Sequence, residues 1–259
     1  MKPGKYIPES YWDEVARQIK LRKGRNLVAG DDEPYYRYKR NKFLKLLNNI
    51  NFAEKKVLEI GSGPGGNLLE IYNHRPAVLY GADISGEMIE LSQKNTGNRN
   101  ITLVKINGSK LPFSAGYFDI VITATVLQHI PDEEVLNALV ESMCQVSGTD
   151  IYIFERIERK RMETEINTGR TVNEYAGYFS RNNFYLCEVR FAYLHISYSV
   201  CGTLRKIFNR GTRREGEPES RLLSILQKTV LPLTKILDNI FKWKRDLAML
   251  HFKRAEPGV

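Results

Sequence analysis

Val57-Leu-Glu-Ile-Gly-Ser-Gly-Pro-Gly-Gly66 sets a short apolar run directly before a cluster of glycines. Such a run reads as a buried strand. Gly61, Gly63 and Gly66 then fit the pattern G-x-G-x-x-G between that strand and a following helix. Glycine lets the backbone turn sharply and lets a ligand approach it closely. The helix start adds free N–H groups and a partial positive charge, so the site favours an anion. The pyrophosphate of a dinucleotide satisfies it, and so does the carboxylate of a methionine moiety. A plain tight turn is the alternative without a ligand.

Working outward, residues 78–82, 101–106, 118–124 and 150–155 are further apolar strand candidates, and residues 63–73, 87–94 and 132–146 have helical spacing. Alternating strands and helices of this kind imply an α/β, doubly wound, mostly parallel sheet covered on both faces. Residues 1–50 read as a helical cap, with one helix over 11–21, a break over 24–32 and a second helix beginning near Pro34. Beyond residue 156 the pattern changes. Residues 171–179 look helical, 184–200 suit a long strand or hairpin, and 202–220 are polar, basic and loop-like. Residues 221–242 are amphipathic, with Leu222, Leu226, Val230, Leu233, Leu237 and Ile240 on one face and Pro232 set to kink or split the helix. Residues 247–252 close the chain as a short apolar strand.

Three features refine the ligand. Glu59 precedes the first glycine by two positions, where a carboxylate can serve an ammonium group. Asp83 ends the second strand about twenty residues after the glycines, where an acid can bind ribose hydroxyls. Asn107, with Gly108 and Ser109 behind it, follows the third strand and could hydrogen-bond an adenine edge. An ammonium group is present in S-adenosylmethionine and absent from a nicotinamide dinucleotide.

VLEIGSGPGG, GADIS, INGSKLPF and FDIVITATVLQHIPD follow one another in an order and spacing that resembles the class I S-adenosylmethionine-dependent methyltransferases, especially the group called type 11. The resemblance covers residues 55–155. It implies a Rossmann-like fold with a seven-stranded sheet whose last strand, residues 247–253, runs antiparallel. It also implies one methyltransferase domain over 1–259: a cap over 1–50, a cofactor-binding core over 51–156, and a C-terminal half over 157–259 with an inserted helical segment at about 202–246. Carried over residue by residue, Gly61, Ser62 and Gly63 would line the methionine end, Asp83 would take the ribose, and Ile84 and Met88 would pack on the adenine. Asn107 stands where this group usually has aspartate. Thr123 would face the cofactor through its backbone. The implied cofactor is S-adenosylmethionine, with S-adenosylhomocysteine as product.

Transfer from a sulfonium is a direct displacement, so the protein chiefly aligns the reactants and excludes water. A base is needed only if the acceptor must lose a proton. His129, after the fourth strand, is the candidate, since a free histidine titrates near ~6.5; packing below the cofactor is its other role. Arg37, in Tyr35-Tyr-Arg-Tyr-Lys-Arg40, could pair with the methionine carboxylate, and Tyr35 and Tyr36 could shape the acceptor pocket. His195 and Tyr198 could reach the acceptor pocket, with packing as the preferred reading. No cluster of side chains has metal-ligand spacing.

The chain has 259 residues and a net charge of +9, which would suit nucleic acid, an anionic membrane surface or a phosphorylated substrate without choosing among them. Cys144, Cys187 and Cys201 form no CxxC pair. The N-terminus lacks a signal-peptide apolar run and no stretch is long enough to span a bilayer, so a cytoplasmic location is expected. The expected acceptor is a small molecule or glycan. A nucleic-acid methyltransferase lacks its Asn/Asp-Pro-Pro-Tyr run here, a dehydrogenase lacks a hydride-transfer site, and a non-catalytic cofactor-binding protein is the remaining alternative. Residues 221–242 offer peripheral membrane contact, a lid or a dimer surface, but a packed helix pair is the preferred expectation.

Overall fold

The computed structural model describes residues 6–22, 26–208, 213, 215–218 and 220–255. The expected break at Gly24 and parts of the 202–220 stretch therefore lie outside the described residues. Two helices precede the sheet, α1 (Pro8–Lys20) and α2 (Pro34–Leu47), the second with Pro34 at its first turn as the sequence suggests. Then β1 (Lys56–Ile60), α3 (Gly66–Tyr72), β2 (Val78–Asp83), α4 (Gly86–Thr96), β3 (Thr102–Lys105), β4 (Phe118–Ala124), α5 (Glu133–Val146) and β5 (Ser147–Ile157) alternate. After a two-stranded ribbon, β6 (Met162–Glu163) and β7 (Thr168–Gly169), come α6 (Val172–Ser180), β8 (Phe184–Phe191), α7 (His195–Phe208), α8 (Arg221–Phe241) and β9 (Asp246–Arg254).

The seven-stranded sheet has the order β3-β2-β1-β4-β5-β9-β8. β1 to β5 pair in parallel, and β9 runs antiparallel to both its neighbours. The implied antiparallel last strand is thus present, inserted between β5 and β8. β1 pairs with β2 on one side and with β4 on the other. The strand order therefore reverses at β1, and the carboxyl ends of β1 and β4 flank the crevice where such sheets take ligands.

Strand residues alternate between the two faces, and the two cores divide accordingly. Leu58, Ile60 and Val121 pack with α5 and α6, through Met143 and Phe179. Val57, Ile120 and Ile122 pack with α2 and α3, through Phe43, Leu47 and Leu68. A third cluster joins Val15, Ala16 and Ile19 of α1 to Met88 and Leu91 of α4.

The structure corrects the sequence in three places. Residues 184–200 are not one strand or hairpin: β8 ends at Phe191 and α7 begins at His195. The Asp238 carboxylate accepts from the amides of Ile196 and Ser197 at 2.8 and 3.4 Å and so satisfies the start of α7. The stretch read as loop from 202 begins inside α7. Finally, Pro232 does not split α8, which continues through it as one helix.

Candidate functional site

Gly61, Gly63 and Gly65 all have left-handed backbones, with φ of 68, 51 and 86°. A Cβ at Gly61 would lie 2.2 Å from Val126 Cγ2, and one at Gly66 would lie 2.1 Å from the carbonyl oxygen of Leu27. The loop is therefore glycine-rich for two reasons: it must turn, and it must admit the turn after β4 on one side and the cap on the other.

Glu59 is fully buried beside this loop. Its Oε1 accepts from Asn67 Nδ2 at 2.7 Å, while its Oε2 has no hydrogen-bond partner. Burial pushes its carboxyl up to about 8, against the opposing pull of Asn67 and Arg40. Asn67 in turn accepts from Arg40 Nη1 at 2.8 Å, linking the strand carboxylate to α2. Ser62 Oγ is likewise buried without a partner. Asp83 is pushed up to about 6 by burial, moderated by amide donors. Its two oxygens accept from the amides of Gly63 and Ser85 at 2.8 and 2.9 Å, so it braces the glycine loop against α4.

The turn after β4, Leu127–His129, is held from both sides. Glu155 accepts from the amides of Val126, Leu127 and Gln128 at 2.9–3.1 Å. Burial pushes this carboxyl up to about 7. The fully buried Arg170 donates to the carbonyls of Leu127 and Ile130 at 2.9 and 2.8 Å. On this platform His129 has its Nδ1 3.2 Å from the Ile166 carbonyl and its Nε2 3.2 Å from Gln128 Nε2. Burial holds the imidazole down at about 4, so it is neutral at physiological pH.

α1 clasps both ends of this region. Asp13 accepts from Ser85 Oγ at 2.6 Å, and Trp12 meets the His129 ring edge-on at 5.0 Å. Behind α1, a cavity of about 630 Å³ opens from the glycine loop toward α2 and α7. Gly61, Ser62, Gly63 and His129 line it, as do Ala124 and Thr125 at the end of β4. The cap contributes Leu27–Ala29 and, from α2, Lys39 and Arg40; the far wall holds Arg156, Tyr198 and Asp246. Two lining residues other than glycine, Thr125 and Asp246, have left-handed φ of 56 and 68°. Such strain costs about 1–3 kcal/mol each and concentrates at functional sites. Among the described residues, six cationic side chains line the cavity against three carboxylates. Several cations are already paired: Arg205 with Glu33 at 3.0 Å, Arg213 with Asp31 at 2.8 Å, and Arg156 with Glu158 at 2.6 Å. Lys39 is enclosed by protein near Asp246, Arg156 and Arg205, and burial lowers its ammonium from the usual lysine range.

Apart from Arg37, the cofactor-binding and catalytic candidates singled out from the sequence fall into three groups. Gly61, Ser62, Gly63 and His129 share the cavity. Glu59, Asp83 and Thr123 are buried beneath it. Ile84, Met88, Asn107, Gly108 and Ser109 lie outside its lining. There Ile84 fills the space a Gly108 side chain would occupy, and Asn107 Oδ1 accepts from the amides of Ser109 and Lys110 at 3.2 and 3.0 Å. Arg37 turns to Asp32, with Nη1 2.6 Å from its carbonyl oxygen. Arg40, three residues further along α2, is the arginine that faces the glycine loop. Lys39, Arg40, Asn67 and Asp246 were not found from the sequence. Asn67 immediately follows the last glycine and was the most accessible signal of the four.

Residues 57–147 match the family described as “Methyltransferase domain”. A stretch of 89 residues is 32% identical to a malonyl-acyl-carrier-protein O-methyltransferase of Legionella pneumophila, covering 34% of this chain and 31% of that protein. The chain thus matches about a third of the length of that relative. Among solved structures, magnesium protoporphyrin IX methyltransferase of Synechocystis with bound SAM superposes with a TM-score of 0.58 at 14% identity, over 95% of each chain. An S-adenosylmethionine-dependent methyltransferase of Mesorhizobium loti gives 0.55 at 14% identity, over 82% of this chain and 96% of that one. The cyclase SpnF gives 0.59 at 12% identity, over 83% and 81%. At these identities the likeness is one of fold.

Proposed function

We infer that this chain, whose residues 57–147 match a methyltransferase domain, is an S-adenosylmethionine-dependent enzyme that methylates an anionic small-molecule or glycan acceptor held beneath the cap. The observation that carries this reading is the cavity itself, which begins on Gly61–Gly63 and ends on a wall rich in cationic side chains. Its volume of about 630 Å³ lies in the range of small-molecule sites.

The donor fits the residues present. The unpartnered Glu59 oxygen and Ser62 hydroxyl lie beside a loop where no side chain could be added at Gly61 or Gly66. Glu59 and Asn67 would hold the donor's ammonium end, Arg40 its carboxylate in place of Arg37, and Asp83 the ribose, with Ile84 and Met88 toward the adenine. The donor supplies an activated methyl group on a sulfonium. What remains for the protein is alignment and exclusion of water. Lys39 would orient the acceptor's negative group, since it is enclosed in the cavity wall without a hydrogen bond or ion pair among the described residues. A carboxylate oxygen has no proton to lose, so it needs no strong base. His129, neutral and held down at about 4, suits positioning of such an acceptor better than proton abstraction. The name of the Legionella relative, an O-methyltransferase, agrees with an oxygen acceptor. A concave cleft of about 630 Å³ beneath a cap favours this reading over a nucleic-acid acceptor.

Calorimetry with S-adenosylhomocysteine, followed by radiolabelled methyl transfer to a panel of carboxylate and phosphorylated-sugar acceptors, tests it. Micromolar product binding and transfer abolished by Lys39→Ala are expected. No binding at millimolar ligand would remove the enzyme reading, and transfer only to cationic or neutral acceptors would remove the anionic one.

A further inference from the structure

The inner face of α8 is largely polar. It buries Leu223 and Leu231 together with Ser224, Gln227, Thr234 and Asp238. Each of the last three has a partner within the protein: Gln227 with Glu33 at 2.7 Å, Thr234 with Ser197 at 2.9 Å, and Asp238 with the start of α7. The opposite face carries Leu222, Ile225, Leu233, Ile236 and Ile240, each 53–65% exposed. Phe241 and Trp243 extend this surface past the helix end at 55% and 47% exposed. Isolated exposed apolar residues are ordinary, but a continuous stripe along a helix marks an interaction surface.

The charges bordering the stripe identify its occupant. Arg221, Lys228 and Lys235 lie on α8, and Lys242 and Lys244 follow it. The one carboxylate of the helix, Asp238, is buried on the inner side. Lys42 of α2 joins the same border, its Nζ 3.1 Å from Asn239 Oδ1. No helix of the described residues is long and apolar enough to cross a membrane. An apolar face bordered by lysines and ending in aromatic residues is the pattern of a helix that lies in the plane of an anionic lipid interface.

We propose that the outer face of α8, continued by Phe241 and Trp243, docks this protein on an anionic membrane surface. Docking would also bring the cavity near the lipid. Lys206, which lines the cavity, is followed directly by the exposed Ile207 and Phe208 at the end of α7. The proposal is independent of the methyl-transfer reading, because membrane binding can be measured with no donor present.

The test is co-flotation of the full chain with vesicles of phosphatidylcholine containing one third phosphatidylglycerol, compared with pure phosphatidylcholine. Retention on the anionic vesicles should exceed that on the neutral ones by roughly tenfold or more. The double substitution Ile225→Glu and Ile236→Glu should abolish it while leaving the thermal midpoint and S-adenosylhomocysteine affinity unchanged. Lys228→Glu with Lys235→Glu, which leaves the apolar face intact, should weaken anionic binding and provides a second variant. Absence of binding to anionic vesicles would overturn the proposal, as would binding that the isoleucine substitutions leave intact. A stable dimer in sedimentation velocity that those substitutions dissociate, with no vesicle retention, would assign the face to a second copy of the chain instead.

Discussion

Around the glycine loop, apolar strand residues face inward on both sides of the sheet and the polar groups gather at the strand ends. On α8 the arrangement is reversed. Gln227, Thr234 and Asp238 are buried beside Leu223 and Leu231, while Leu222, Leu233 and the three isoleucines face outward. Both arrangements satisfy the same physical requirement. The loop region gains from removing apolar surface from water. α8 docks on a surface that already presents buried polar groups, namely Glu33, the Tyr35 amide and the start of α7, each of which would be costly if left unpaired. Burial is therefore governed by what the opposing surface offers, and the polarity of a helix face does not by itself say which way it points.

The largest test of this contrast is on the loop. Gly66→Ala sets a Cβ against the Leu27 carbonyl and should cost ~3 kcal/mol of stability. Denaturant unfolding would read it, and affinity for S-adenosylhomocysteine should fall by at least tenfold. Next is the inner face of α8. Gln227→Leu makes the helix more apolar where it is buried, yet it should destabilise by ~1–3 kcal/mol, because it strips a donor from the buried Glu33. A neutral or stabilising result would show that apolar packing governs α8 after all. On the outer face, by contrast, Ile236→Glu should change stability by no more than ~0.5 kcal/mol.

Two smaller effects are read in pH. Glu59 is pushed up to about 8 by burial, and a cationic ligand favours its ionised form. Donor affinity should therefore rise with pH until that value is passed, and proton release should appear in calorimetry across buffers of different ionisation heat. Glu59→Gln should weaken binding and flatten both dependences. His129 is held down at about 4, below its value in the unfolded chain. Between those two values the unfolded state binds the extra proton, so stability is lost as pH falls from ~6.5 toward 4. His129→Gln should reduce that acid loss. The methyl-transfer rate should show no inflection from this histidine near neutrality.

The glycine spacing, the acids at 59 and 83 and the alternation of strands and helices were legible because each depends on neighbours close in sequence. A strand followed by a glycine turn constrains its own backbone, and the alternation of side chains reports which residues are buried. Arg37 and Arg40 show the limit of such reading. They lie on one helix, and only its packing sends the first toward Asp32 and the second toward Asn67. The start of α7 was missed for a related reason, since its satisfying carboxylate, Asp238, comes from far along the chain.

By itself, then, the sequence determined the sheet, the glycine loop and the amphipathic character of residues 221–242, all products of local periodicity and backbone conformation. Tertiary structure alone decided which arginine meets the loop, how His129 is kept neutral, and that α8 turns its apolar face to the outside. These depend on partners distant in sequence, such as Gln227 and Glu33, whose encounter is set by the packing of whole elements and leaves no periodic trace in either segment.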